Sequence, residues 1–69
     1  MYYILLIPSE KTNLEVYATP KEFRECKLMG GHIHHQEDTK YKLIERLVYS
    51  INHGVIQTDK YTVKLYNES

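Results

Sequence analysis

Residues Tyr2 to Ile7 read YYILLI, a continuous apolar run that is stopped by Pro8. A strand with one solvated face alternates apolar and polar side chains, whereas this run does not, so it predicts a central strand covered on both faces. The run has no basic residue before it and is too short for a signal-peptide core or a membrane span. We therefore expect the fold to be built around this strand.

A second strand is predicted shortly after the first. The connection from Ser9 to Asn13 is polar and typical of a turn. The segment Leu14 to Ala18 then alternates apolar and polar side chains, which indicates a half-buried strand. The short connection predicts that the two strands form a hairpin.

A first helix is predicted over about Pro20 to Met29. Thr19 is a suitable N-cap, Pro20 fits the first helical position, and Glu22 can complete a capping box with Thr19. Phe23 and Cys26 lie at helical spacing and are expected to face the core. The pair Gly30–Gly31 is expected to end the helix.

A second helix is predicted to open with Gln36–Thr39, whose acidic residues suit a helix N-terminus, and to close at Asn52–His53–Gly54. Five apolar residues at helical spacing are predicted to form its buried side: Tyr41, Ile44, Leu47, Val48 and Ile51.

The remaining segments leave alternatives open. His32 to His35 fits a short strand or an ordered loop, and Val55–Gln57 with Tyr61–Tyr66 fits a terminal hairpin or one long bent strand. The expected order is β-β-α-(β)-α-β-β. The sequence therefore predicts a small α+β fold, with two helices on one face of a mainly antiparallel sheet.

The length of the chain limits what it can do. Its 69 residues are predicted to form one domain, spanning 1–69, because two hydrophobic cores do not fit in so short a chain. Ligand pockets of about 300–1,000 Å³ would remove much of such a core. A monomeric enzyme is therefore not expected, and a site shared between subunits would suit a small ligand better.

Charge and cysteine content bear on partners and compartment. Nine Lys and Arg balance nine Asp and Glu, so the basic surplus typical of nucleic-acid binders is missing. A local basic face formed by Lys40, Lys42 and Arg46, together with Lys60 and Lys64, would be the exception. The single cysteine, Cys26, cannot form an intramolecular disulfide, which favours a reducing compartment, the cytoplasm.

The histidines near the middle of the chain are the most conspicuous polar cluster. If residues 32–35 are extended, His32 and His34 point to one side and His35 to the other. His32 and His34 are weak metal-ligand candidates, because the spacing matches no structural zinc pattern, and no metal or cofactor is expected. A solvated loop, or contact with an anionic partner tuned by pH, are the alternatives.

Catalytic pairings are weak. Cys26 would have to be exposed beside a histidine to act as a nucleophile, but a core-facing helical cysteine usually behaves as a small apolar residue. Glu22 and Glu25 fit a solvated helix face. No phosphate-binding glycine loop is present in the sequence.

Tyrosine is unusually frequent, with seven residues against one Phe and no Trp. Protein interfaces favour tyrosine because it combines a large apolar body with a polar tip. Four tyrosines lie outside the faces assigned to the core and are candidate partner contacts, together with His32, His34 and His35: Tyr3, Tyr17, Tyr49 and Tyr66. The alternative is that they line the margins of the core.

The leading hypothesis is a non-catalytic protein-binding module that inhibits or regulates a larger partner by masking a site. The composition fits a phage or mobile-element accessory protein, of the anti-defence type, acting in the host cytoplasm. A homo-oligomer that binds or sequesters a nucleotide-like anion is the second hypothesis. Nucleic-acid binding and metal binding follow, and no membrane association is expected.

Overall fold

The computed structural model describes residues 1–9 and 17–68. Three strands and two helices follow one another in the order β1, α1, β2, α2 and β3: Tyr2–Pro8, Pro20–Glu25, His32–Glu37, Lys40–Asn52 and Tyr61–Asn67. The strands form one sheet in the order β2-β1-β3, and both outer strands run antiparallel to β1. The predicted α+β class and mainly antiparallel sheet are confirmed.

Strand β1 is the centre of the molecule, as the apolar run predicts. Ile4 and Leu5 are both fully buried. Ile4 belongs to a core cluster with Leu43 of α2, whereas Leu5 belongs to a second cluster with Cys26. Because successive side chains of a strand point to opposite faces, the sheet has a separate core on each side. The expectation that two hydrophobic cores do not fit in so short a chain is therefore wrong.

The two helices therefore lie on opposite faces of the sheet, and the prediction that they share one face is wrong. Helix α2 covers the face of Ile4, and the α1 segment covers the face of Leu5 through Phe23 and Cys26. The physical reason is the continuous apolar character of β1. A strand that is apolar on both faces needs cover on both.

Helix α1 begins as the sequence predicts. The Glu22 backbone N–H donates to Thr19 Oγ1 at 3.1 Å, and the Thr19 N–H donates to Glu22 Oε1 at 3.0 Å, which completes the capping box. The helix ends at Glu25 rather than near Met29, and turns follow it. A Cβ at Gly31 would lie 2.6 Å from the Leu6 carbonyl oxygen, so glycine permits the close return of the chain to the sheet.

Helix α2 begins at Lys40 rather than with Gln36–Thr39, because Gln36 and Glu37 belong to β2. It is capped by Thr39, whose Oγ1 accepts from the Lys42 N–H at 3.2 Å. Its buried side chains are Leu43 and Ser50, and Leu47 is half-buried. The predicted buried stripe is therefore wrong in its orientation, since its other four members are exposed: Tyr41, Ile44, Val48 and Ile51. Apolar side chains occupy a wide arc of α2, and a sheet of three strands covers only one edge of that arc.

The segments around β3 differ from prediction. Residues 55–57 form no strand, so the chain ends in the single strand β3 rather than a hairpin or a long bent strand. The predicted strand from Leu14 to Ala18 lies mostly outside the described residues. Its described part pairs with β3 instead of β1. Tyr17 forms an isolated β-bridge with Leu65, and the Ala18 N–H donates a hydrogen bond to the Leu65 carbonyl oxygen at 2.8 Å.

Candidate interaction surface

A β-bulge in β2 sets the direction of its histidines. His35 lies opposite Ile4, but Leu5 lies opposite Ile33, so His34 is an extra residue in the ladder. Antiparallel partners share a face, so His35 lies on the Ile4 side of the sheet, the side that α2 covers.

The same rule places His32, the partner of Leu6, on the α2 side of the sheet. The prediction that His35 faces away from His32 is therefore wrong. In a regular strand, residues three positions apart point to opposite faces, so His32 and His35 would lie on opposite faces of the sheet. The extra residue of the bulge brings them onto the same face. The bulge thus gathers charge-bearing rings on one face.

Helix α2 brings three further side chains to the same side. The Arg46 guanidinium lies 5.6 Å from the centre of the Tyr49 ring, and the Tyr49 ring centre lies 4.1 Å from that of His53. Arg46, Tyr49 and His53 are exposed. We call the whole group the histidine surface: His32, His34, His35, Arg46, Tyr49 and His53.

The histidines of this surface have different surroundings. Burial lowers the pKa of His34, and the positive charges of His32, His35 and Arg46 lower it further. His35 has a different environment, because its Nε2 lies 2.7 Å from Glu37 Oε1. At neutral pH His34 is therefore uncharged, and it gains a proton only at a lower pH than an ordinary histidine.

An open depression of about 260 Å³ adjoins the histidine surface between β2 and α2. Its lining consists of two acidic residues, two basic residues and one tyrosine: Glu37, Glu45, Lys42, Arg46 and Tyr49. Lys42 Nζ also lies 3.5 Å from Asp38 Oδ1. Such a mixed lining fits a polar protein surface better than a multiply charged anion.

The predicted basic face is not brought together. Lys42 and Arg46 lie beside β2, but Lys40 lines another depression with Leu65 and Tyr66 of β3. Its Nζ lies 6.0 Å from the centre of the Tyr17 ring. The three cations therefore belong to two sides of α2.

Neither metal binding nor thiol chemistry gains support from the arrangement. Within residues 1–9 and 17–68, no group of three or more His, Cys, Asp and Glu side chains has a geometry that could hold a metal ion, so His32 and His34 belong to no such site. Cys26 is only 2% exposed, and burial raises the pKa of its thiol. A reactive thiolate requires the opposite shift.

The four candidate tyrosines divide into two pairs. Tyr3 and Tyr66 are half-buried and pack against Phe23, with ring centres 4.9 Å and 4.4 Å from it. These two line the margin of the α1-side core. Tyr17 and Tyr49 are 60% and 51% exposed, but only Tyr49 joins the histidine surface.

An ion pair under α1 was not anticipated from the sequence. Lys64 lies opposite Leu5 on the α1 side of the sheet and is only 9% exposed. Its Nζ donates to Glu22 Oε2, and this hydrogen bond is the main cause that lowers the pKa of Glu22. The alternation of side chains along β3 predicts that Lys64 is buried, but only if both faces of the sheet are known to be covered.

A second surface that the sequence analysis missed is the outer side of α2. We call it the outer stripe, and its members are exposed by 36–87%: Tyr41, Ile44, Val48 and Ile51. Their spacing of three, four and three residues places them on one face of the helix. That spacing was readable from the sequence, but the face was assigned to the core.

Comparison with known proteins does not add a relative. No protein family, curated protein or solved structure matches the chain. Neither helix that the structure describes has the length and apolar content needed to cross a membrane. The function is therefore inferred from the polar histidine surface.

Proposed function

We propose that this protein is a non-catalytic protein-binding module that regulates or inhibits a larger partner by covering a site on it. The histidine surface is the contact region. The observation that carries the proposal is the convergence of the bulged histidines with Arg46 and Tyr49 on one side of the molecule. Tyrosine and arginine supply a disproportionate share of binding energy in protein interfaces.

The polarity of the histidine surface fits a partner that binds and dissociates. Non-obligate interfaces are about as polar as the remaining protein surface, and their charges provide specificity and orientation. Glu37 and Glu45 beside Lys42 and Arg46 offer both signs of charge to a partner. The contact is made by side chains, because a bulged edge strand is a poor template for adding another strand.

Protonation tunes this contact. Burial and nearby positive charges lower the pKa of His34, so His34 gains its charge only below the ordinary histidine range. A partner that presents carboxylates should bind more tightly at mildly acidic pH.

The other functional hypotheses have weaker support. Binding of a nucleotide-like anion or a nucleic acid needs cations that converge, whereas Lys64 pairs with Glu22 and Lys42 with Asp38. The phage or mobile-element origin, the anti-defence role and the cytoplasmic setting are hypotheses from composition and cysteine usage.

Affinity capture from a native lysate tests the proposal. The immobilised wild-type protein is compared with the double variant Arg46→Ala/Tyr49→Ala and with a matched control, Arg24→Ala/Tyr17→Ala, which removes the same residue types elsewhere on the surface. We expect one stoichiometric partner, retained by the control and bound at least about tenfold more weakly by the first variant. Equal capture by both variants would contradict the proposal.

A further inference from the structure

A depression of about 170 Å³ lies where the start of α2 meets the end of β3. It is smaller and more enclosed than the depression beside the histidine surface. We call it the tyrosine cleft, and six of its lining residues define it: Tyr2, Tyr17, Lys40, Leu43, Leu65 and Asn67. The tyrosine cleft and the histidine surface share no residue.

The base of the tyrosine cleft is apolar. Tyr2 and Leu65 pack against the core cluster on the α2 side of the sheet, and Leu43 of that cluster is only 1% exposed. Asn67 lies opposite Tyr2 in the β1–β3 ladder and therefore shares this face. The cleft thus combines an apolar base with the amide group of Asn67.

Tyr17 and Lys40 lie at the rim of the cleft. The isolated β-bridge between Tyr17 and Leu65, with the hydrogen bond from the Ala18 N–H to the Leu65 carbonyl oxygen, holds Tyr17 beside β3. The Tyr17 side chain is 60% exposed, and Lys40 Nζ lies 6.0 Å from the centre of its ring. An aromatic ring and a positive charge are therefore presented together to a ligand.

The charge of the tyrosine cleft has one sign, unlike the mixed lining beside the histidine surface. Of the lining residues that the structure describes, Lys40 is the one cation and none carries a carboxylate. Small-molecule sites are usually lined by apolar and aromatic side chains, with a few polar groups that fix the orientation of the ligand. Because ordinary ligand pockets begin at roughly 300 Å³, a cleft of this size suits one ring rather than a nucleotide.

We propose that the tyrosine cleft binds an aromatic carboxylate, a single ring that carries a carboxylate group. The ring packs on Leu43 and Leu65 and against Tyr17, in the offset or edge-to-face contacts that aromatic pairs prefer. The carboxylate accepts a charge-assisted hydrogen bond from the Lys40 ammonium, and the Asn67 amide is a second donor. A free aromatic acid and an aromatic residue at the C-terminus of a polypeptide both offer this chemistry.

Titration of the isotope-labelled full chain with phenylacetate, followed by amide chemical shifts in NMR spectra, tests the cleft. We expect saturable shifts in residues 17–18, 40–43 and 65–67, with a Kd on the order of 1 mM for so small a ligand. Phenylacetamide lacks the charge and cyclohexylacetate lacks the aromatic ring, so each should bind at least about threefold more weakly. Shifts confined to other parts of the chain, or equal affinities for the three probes, overturn the proposal.

A pair of lysine variants tests the origin of the charge preference. Lys40→Gln should weaken phenylacetate binding about fivefold, whereas Lys42→Gln, which removes the same charge on the other side of α2, should change it less than about twofold. Lys40→Gln leaves the helix intact, because a cation in the first turn opposes the helix dipole. Equal losses in the two variants overturn the role of Lys40.

A pair of tyrosine variants tests the aromatic contact. Tyr17→Leu should weaken phenylacetate binding about threefold, because a branched aliphatic side chain replaces the ring at the rim. Tyr41→Leu is the control, since Tyr41 is 87% exposed and lies outside the cleft. Equal affinities of the two variants overturn the contact with Tyr17.

A comparison with N-acetyl-phenylalanine, which imitates the end of a polypeptide, separates the two sources of the ligand. Tighter binding than that of phenylacetate supports a polypeptide C-terminus, and weaker binding supports a free acid.

The tyrosine cleft goes beyond the proposed function and does not rest on it. Arg46→Ala/Tyr49→Ala should bind phenylacetate as the wild type does, because neither residue lines the cleft. Absence of phenylacetate binding in a wild type that captures its partner overturns the cleft alone. Loss of phenylacetate binding in the folded double variant would place the ring at the histidine surface and overturn the proposal.

Discussion

His35 lies directly opposite Ile4 across the β1–β2 ladder, whereas Ile33, two residues earlier, lies opposite Leu5. Ile4 and Leu5 are adjacent, so the ladder absorbs His34 as an extra residue. This one insertion decides that His32 and His35 share the side of the sheet that α2 covers. The histidine surface depends on it.

Acidification should destabilise the fold through His34. The pKa of His34 in the folded protein is lowered from its ordinary value of 6.5 by burial and by nearby positive charges. The unfolded chain therefore binds more protons as the pH falls below about 6.5, and stability is lost in that range. Thermal unfolding from pH 8 to pH 5 should show a smaller decrease in midpoint for His34→Gln than for the wild type. Parallel curves for the two proteins would rule out this role.

Removal of the charge on Glu22 should weaken the contact between α1 and the sheet. Glu22→Gln keeps the capping box but withdraws the carboxylate from the nearly buried Lys64. We expect a loss of about 1–3 kcal/mol in unfolding free energy, between the values for exposed and fully buried pairs. Glu25→Gln on the same helix is the control and should cost less than about 0.5 kcal/mol. Urea denaturation measures both, and equal losses would contradict the assignment.

The same ion pair has its own pH dependence. Lys64 holds the pKa of Glu22 below its ordinary value of 4.5, so the stabilisation is present above that pH and is lost as the pH falls through the lowered pKa. Wild-type stability should therefore decrease in acid more than that of Glu22→Gln. The difference between the two unfolding free energies, measured from pH 6 to pH 2, should shrink. A constant difference would show that the Glu22 carboxylate does not interact with Lys64.

Substitutions on α2 should report how the helix is rotated. Leu43 is 1% exposed and packs against Ile4, so Leu43→Ala should cost about 2–4 kcal/mol. The neighbouring Ile44 is 41% exposed, so Ile44→Ala should cost less than about 1 kcal/mol. Chemical denaturation compares the two variants. The reverse order of losses would mean that the helix presents the other side to the sheet.

Cys26 should be unreactive in the native protein. It is 2% exposed and contacts the Leu5 side of the core, and burial raises the pKa of its thiol. A thiol reagent such as dithionitrobenzoate should label it at the rate of global unfolding, and quickly in denaturant. Rapid labelling under native conditions would contradict its place in the core.

Local signals in the sequence predicted much of the fold. The unbroken apolar run of β1 indicated cover on both faces, and Thr19 with Glu22 indicated the start of α1, because both depend only on neighbouring residues. The prediction that the helices share a face contradicted the first of these signals. Because both faces of β1 were predicted to be covered, a helix or another element was already required on each side of the sheet.

The site was harder to predict because it depends on long-range geometry. No local pattern marks the bulge at His34, since it exists only through pairing with β1. The rotation of α2 likewise depends on how much of its apolar arc the sheet covers. The helical periodicity from Tyr41 to Ile51 was visible, but periodicity alone does not show which apolar face of a helix packs against the sheet.

Hydrogen–deuterium exchange of the protein with and without its captured partner tests the central claim most directly. If the histidine surface is the contact, bound partner should slow amide exchange in β2 and in residues 46–53 and leave α1 unchanged. Slowed exchange confined to α1, or no change in β2, would contradict the account.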